Sequence, residues 1–119
     1  FPYTTLFRSQ VVDGQGEETG RSIITVPAIS LSEVNEIHHV PADSWLVMDI
    51  EGAEWDLARN QGPALRRYQG IIVECHQVTD EGGHVTPKDI LDQFQTHGFS
   101  LVDCVEHYTH LVAFLRRDS

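Results

Sequence analysis

Long apolar runs are missing from this sequence, basic residues are few, and cysteine occurs only twice. No uninterrupted apolar stretch approaches the roughly 20 residues that a membrane-spanning helix needs, so no membrane partner is expected. Eight Lys and Arg stand against 18 Asp and Glu, for a formal charge of -10. A nucleic-acid partner would call for a basic face, so none is expected, and an anionic membrane would repel this balance. Cys75 and Cys104 have no CxxC partner, and each falls inside an apolar, strand-like run. They read as free buried thiols of a cytoplasmic protein. What the sequence does have is a hydrophobic content of 40% over 119 residues, enough for one small packed domain.

The first nine residues, FPYTTLFRS, show neither a helical nor a strand period. They match the translation of a common short-read sequencing adapter. Residues 1–9 are therefore expected to be a non-native segment and are set aside from fold reasoning. Their removal takes away one cation, Arg8, and moves the formal charge from -10 to -11. Coding sequence upstream of that junction is expected to be missing.

From residue 10 onward, strands and helices alternate. Val11 to Gly20 carries glycines after an apolar start, but Ser22 to Val26 follows as another apolar strand with no helix between. A cofactor loop would need that helix, so the glycines fit a surface turn. Ser30 and Glu33 match a capping box, opening a short helix over Leu31 to Ile37 with Leu31, Val34 and Ile37 as its apolar stripe. Ser44 to Ile50 is nearly continuous apolar sequence, the pattern of a strand buried on both faces in a parallel sheet. A helix opens near Ala53 and is broken at Gly62-Pro63. Gly70 to Cys75 predicts the next buried strand, and Thr79 to Gly83 a loop. Thr86 caps a helix with Pro87 at its first position, Ile90, Leu91 and Phe94 as its buried stripe, and Gly98 at its end. Phe99 to Val105 and Leu111 to Leu115 are the last strands. The link Glu106 to His110 is too short for a crossover, so they pair as an antiparallel hairpin. The alternation predicts an α/β fold with a mostly parallel sheet and one antiparallel strand near its edge. In that topology the strands of Cys75 and Cys104 are not neighbours, which excludes a disulfide between them.

The chemistry-bearing residues gather where strands end. Asp49, Glu51 and Glu54 fall within one turn of the junction between a buried strand and a helix, with Gly52 free to turn the backbone. The next strand ends in Glu74-Cys75-His76. Open α/β sheets bind ligands beyond the carboxyl ends of their strands, and neighbouring parallel strand ends lie about 5 Å apart. Asp49 and Glu51 are therefore expected to face Glu74 and His76 across one crevice. Such a set could hold a substrate hydroxyl, supply a general base or bind a divalent cation. Glu54, in a first helical turn, is accounted for by the helix dipole. His38 and His39 read as loop residues, His84 and His97 as loop and helix-end residues, and His107 and His110 as solvated residues flanking the hairpin turn.

Together these pieces resemble a known family. VPAISLSEV from Val26, WLVMDIEGAEWDL from Trp45 and IIVECH from Ile71 are similar to the signature of FkbM-type methyltransferases. The HGF that ends the last helix and the final hairpin resemble that family's tail. The resemblance covers about Ser22 to Arg116. One departure is Val47, where family members usually carry Lys two residues before the motif's Asp.

The resemblance implies a partial Rossmann-like methyltransferase sheet, with residues 10–119 forming the C-terminal part of a single domain. It implies S-adenosylmethionine as cofactor and methyl transfer to a hydroxyl oxygen of a small-molecule acceptor, a sugar or a natural product. Asp49, Glu51, Glu74 and His76 are the implied catalytic positions, with Asp49 also toward the cofactor, and metal binding by the same four is the alternative. The family's glycine loop and ribose-binding acid would lie upstream. The chain by itself is then expected to be inactive, with self-association through an exposed sheet edge. A competing reading is a non-enzymatic α/β binding domain that uses the acidic crevice for a divalent ion.

Overall fold

A computed structural model describes residues 27–80 and 82–119. The adapter-like segment, the glycine turn at 11–20 and the strand expected at 22–26 lie outside the described residues. Ten elements follow in order: α1 (Leu31–Ile37), β1 (Trp45–Met48), α2 (Glu54–Asn60), α3 (Gly62–Leu65), β2 (Gly70–His76), β3 (Val78–Asp80), β4 (Gly83–Val85), α4 (Pro87–Thr96), β5 (Phe99–Glu106) and β6 (His110–Arg117). Among the described residues no helix is long and apolar enough to cross a membrane.

The helices start where local chemistry dictates. Ser30 Oγ accepts from the Glu33 N–H, and Glu33 Oε1 accepts from the Ser30 N–H, both at 3.1 Å. Thr86 and Asp89 repeat that reciprocal pair at the start of α4, at 3.1 and 2.9 Å. Each pair satisfies two amides that a helix start leaves without partners. The stripe expected on α1 is only partly right. Leu31 is buried, but Ile37 is exposed and Asn35 is buried in its place. The Asn35 amide donates to the Ala64 carbonyl at 3.1 Å and accepts from the Tyr68 hydroxyl at 2.6 Å, so its burial leaves no polar group unpaired.

The main sheet has the order β1-β2-β6-β5. β1 and β2 pair in parallel, from Trp45 opposite Gly70 to Met48 opposite Val73. β6 runs antiparallel to both β2 and β5. The expected mostly parallel sheet is therefore not confirmed: one pairing is parallel and two are antiparallel. The reason lies in the connections. α4 carries the chain from β2 past one vacant position to β5, and the short turn returns it into that gap as β6. The interior place suits β6, whose Leu111, Ala113 and Leu115 are buried. β5 stands at the edge with a bulge between Leu101 and Asp103, a common way of blunting an edge strand.

One face of this sheet carries the core. Ile71, Val73 and Cys75 of β2, with Ala113 and Leu115 of β6, are fully buried and pack in one cluster with Leu57 and Ala58 of α2 and with Ile90 and Phe94 of α4. The opposite face is more open. Trp45 is exposed and Val47 is 68% accessible, so β1 is not buried on both faces among the described residues. A further departure is the segment read as a loop: β3 and β4 form a small antiparallel hairpin, Val78 opposite Val85.

Cys75 and Cys104 are both free, on strands separated by β6. Burial, reinforced by the nearby charge of Glu54, pushes the Cys75 thiol up to about 12. Only thiolates react at useful rates. At about pH 8 the native chain should release one equivalent of colour from a chromogenic disulfide reagent, through Cys104, and two in denaturant. Two fast thiols in the native chain would contradict the burial of Cys75.

Candidate functional site

The parallel β1–β2 pair delivers two acidic tips to one rim. Extending its register by one residue sets Asp49 opposite Glu74. Beyond Asp49 the backbone turns sharply: Glu51 has φ 51° and Gly52 φ 100°. The glycine is needed at its position, since any Cβ there would combine an unfavourable φ with a 3.2 Å approach to the Val78 side chain. Glu51 accepts a left-handed conformation that L-residues adopt rarely, and its side chain projects into solvent, 76% accessible. A strained residue at a strand-to-helix turn is the kind of feature that clusters at functional sites.

Glu54 organises this turn. Although it is the first residue of α2, its side chain is fully buried. One oxygen accepts from the Gly52 N–H at 2.6 Å and so pins the turn. The other accepts from the His76 backbone N–H and from His76 Nδ1, both at 2.9 Å. A carboxylate can only accept, so Nδ1 carries the proton and Nε2 is the free nitrogen. Nε2 lies 3.5 Å from Glu74 Oε1 and 3.7 Å from Glu51 Oε2. Asp49, Glu74 and His76 each offer an atom within 4.8 Å of the others. Burial would lower the pKa of His76, but the Glu54 hydrogen bond and the charges of Glu54, Glu51 and Glu74 outweigh it and hold it above the ordinary histidine value.

The structure thus brings all four sequence-identified residues, Asp49, Glu51, Glu74 and His76, to one rim. It also adds two that sequence reasoning passed over. The helix dipole alone explains a Glu at a helix start, yet the helical neighbours of Glu54 at i+3 and i+4, Leu57 and Ala58, are buried. That spacing places Glu54 on the core-facing side and could have flagged it. His110, read as a solvated turn residue, opens β6 opposite His76 and sets Nε2 3.2 Å from Glu74 Oε1. No signal in the sequence places β6 beside β2, so His110 was not legible there. His107 stacks on His110 with ring centroids 4.6 Å apart. His38, His39 and His84 take no part in the cluster. A separate cleft of about 760 Å³, lined by Gly52, Ala53, Trp55, Arg59, Val78 and Asp80 among others, shares only the turn at Gly52 with it. There Asp80 accepts from Trp55 Nε1 at 2.7 Å, and the Arg59 guanidinium lies over the Trp55 ring.

Chemically, the rim presents one imidazole with a fixed tautomer, two carboxylates, Glu51 and Glu74, near its free nitrogen, and a third, Asp49, within 4.8 Å of donor atoms of Glu74 and His76. It can accept a proton, orient a hydroxyl or surround a cation. Comparison with protein families matches residues 3–101 to the methyltransferase FkbM domain, most of the chain's length. The chain belongs to the FkbM methyltransferase family. The match spans both acidic tips, so DIEG and ECH of this FkbM-type chain are part of the domain itself. It ends within β5, before His110. Neither the curated proteins nor the solved structures compared with the chain gave a match.

Proposed function

We propose that this FkbM-type domain serves in an S-adenosylmethionine-dependent O-methyltransferase whose acceptor is a hydroxyl group of a sugar or natural product. The supporting observation is the convergence of Asp49, Glu51, Glu74 and His76 at the carboxyl ends of the parallel strands β1 and β2. Parallel strands of open α/β sheets bind ligands beyond their carboxyl ends, and β1 and β2 are such a pair. S-adenosylmethionine supplies an electrophilic, cationic methylsulfonium. An acidic rim suits such a cation, and Asp49 is an exposed carboxylate there that would stand toward it. The residues of this chain have the remaining tasks: to place the acceptor oxygen and to relieve it of its proton. Asp49 and Glu51 stand nearest the point of transfer. His76, with Nδ1 engaged by Glu54, turns Nε2 toward the acceptor as base or orienter, and Glu74 supports it.

The test belongs in the complete enzyme that the proposal assumes. Asp49→Ala and His76→Ala should each lower the transfer of labelled methyl groups to a panel of hydroxylated acceptors by about a hundredfold. Undiminished transfer in both variants would remove these residues from the mechanism.

A further inference from the structure

The spacing around Glu74 is informative beyond hydrogen bonding. Its Oε1 lies 3.5 Å from Nε2 of His76, while Nε2 of His110, 3.2 Å from the same oxygen, holds the carboxylate in place. Ligand atoms held at about 2.1 Å from a tetrahedral ion are about 3.4 Å from one another. Asp49 brings a second carboxylate, one oxygen of which is within 4.8 Å of donor atoms of Glu74 and His76. Asp49 is exposed, so a side-chain rotation can close that distance at little cost.

A second, independent feature points the same way. Metal-ligating histidines generally donate their other ring N–H to a carboxylate, which fixes the tautomer and raises the basicity of the ligand nitrogen. Glu54 supplies that partner from a fully buried position, 2.9 Å from Nδ1. The charge balance also calls for a cation. Among the described residues the groups beside the Glu51 and Glu74 carboxylates are imidazoles, charged only when protonated, and not Lys or Arg.

We propose that Asp49, Glu74 and His76 bind one divalent first-row transition-metal ion, with Glu54 and His110 as positioning residues that hold His76 and Glu74. Mixed imidazole and carboxylate donors favour this class over Mg²⁺ and Ca²⁺, which prefer all-oxygen shells. Three protein ligands leave coordination positions open, as in sites where a metal meets a ligand. The proposal does not rest on methyl transfer. An ion there occupies Nε2, so His76 then orients rather than accepts a proton.

The probe is Co²⁺, added to the chelator-treated chain and followed by its visible absorption bands and by calorimetry. One Co²⁺ should bind per chain, and equimolar Mg²⁺ should not displace it. His76→Ala should weaken binding at least tenfold, and Glu54→Gln about tenfold, the lower end for loss of such a partner. Asp49→Asn, at an exposed position, should also weaken it tenfold and keeps the test decisive if the buried variants fail to fold. His38→Ala should match the unaltered chain. Absence of stoichiometric binding, or equal affinity in His76→Ala and Asp49→Asn, overturns the proposal. Binding that follows these rules without any methyl transfer by the complete enzyme supports the metal site and sinks only the methyltransferase reading.

Discussion

Replacing Glu54 by alanine should cost about 3–5 kcal/mol of stability, the range for removing one partner of a buried charged pair. Three donors lose their acceptor at once: the N–H groups of Gly52 and His76, and His76 Nδ1. Each orphaned group costs roughly 1–3 kcal/mol where water cannot replace the carboxylate. The side chain also leaves a void, since Glu54 is fully buried beside Cys75. Glu54→Gln keeps the volume but turns an amide toward a donor, so about 1–2 kcal/mol is expected. Urea unfolding measures both. A loss below about 1 kcal/mol in Glu54→Ala would mean that the turn is held by something else.

The pH dependence has a definite sign. The folded pKa of His76 is raised above its unfolded value, through Glu54, Glu51 and Glu74 acting against burial. The stabilisation this brings is complete below the unfolded value, about 6.5, and is lost as pH rises through the folded value. The deficit of Glu54→Gln relative to the unaltered chain should therefore be larger at about pH 6 than at about pH 9, both measured without metal. A deficit that grows with pH would reverse the assignment.

How much of this could be read from sequence depends on range. α1 and α4 begin where Ser30 and Thr86 said they would, because a capping box is a contact over three residues. The β5–β6 hairpin followed from the shortness of its turn. The meeting of DIEG with ECH also followed, because a strand, a helix and a strand in succession form a parallel pair. The order of β6 and β5 did not, since it depends on which strand finds the more buried gap after α4 has crossed. With it went the partnership of His110 and Glu74. The apolar stripe of α1 failed at Ile37 because Asn35, through Ala64 and Tyr68, found a polar niche that no local pattern announces. β3 and β4 escaped notice because strands of three residues carry too little alternation to separate from a loop.

Phe94→Ala should cost about 3–5 kcal/mol, the usual penalty for truncating a fully buried aromatic ring. Phe94 is wholly inaccessible on α4, in the same cluster as Leu57, Ile71 and Leu115. Its loss removes apolar burial and leaves a void that α2, α4 and the sheet would all have to move to fill. A domain of this size has only about 5–15 kcal/mol in total, so the variant should show a much lowered unfolding midpoint or no cooperative transition. Ile37→Ala, at a half-exposed position, should shift it by less than about 0.5 kcal/mol. The expected consequence reaches the rim as well. α4 is the element that carries the chain across to β5, and β6 then returns beside β2 with His110 opposite His76. If packing under α4 holds that order, Phe94→Ala should lower the midpoint and loosen the His76–Glu74–His110 cluster together, seen as faster hydrogen exchange of the β2 and β6 amides. Loss of stability with those amides still fully protected would show that the rim is held by its own hydrogen bonds and not by the core beneath it.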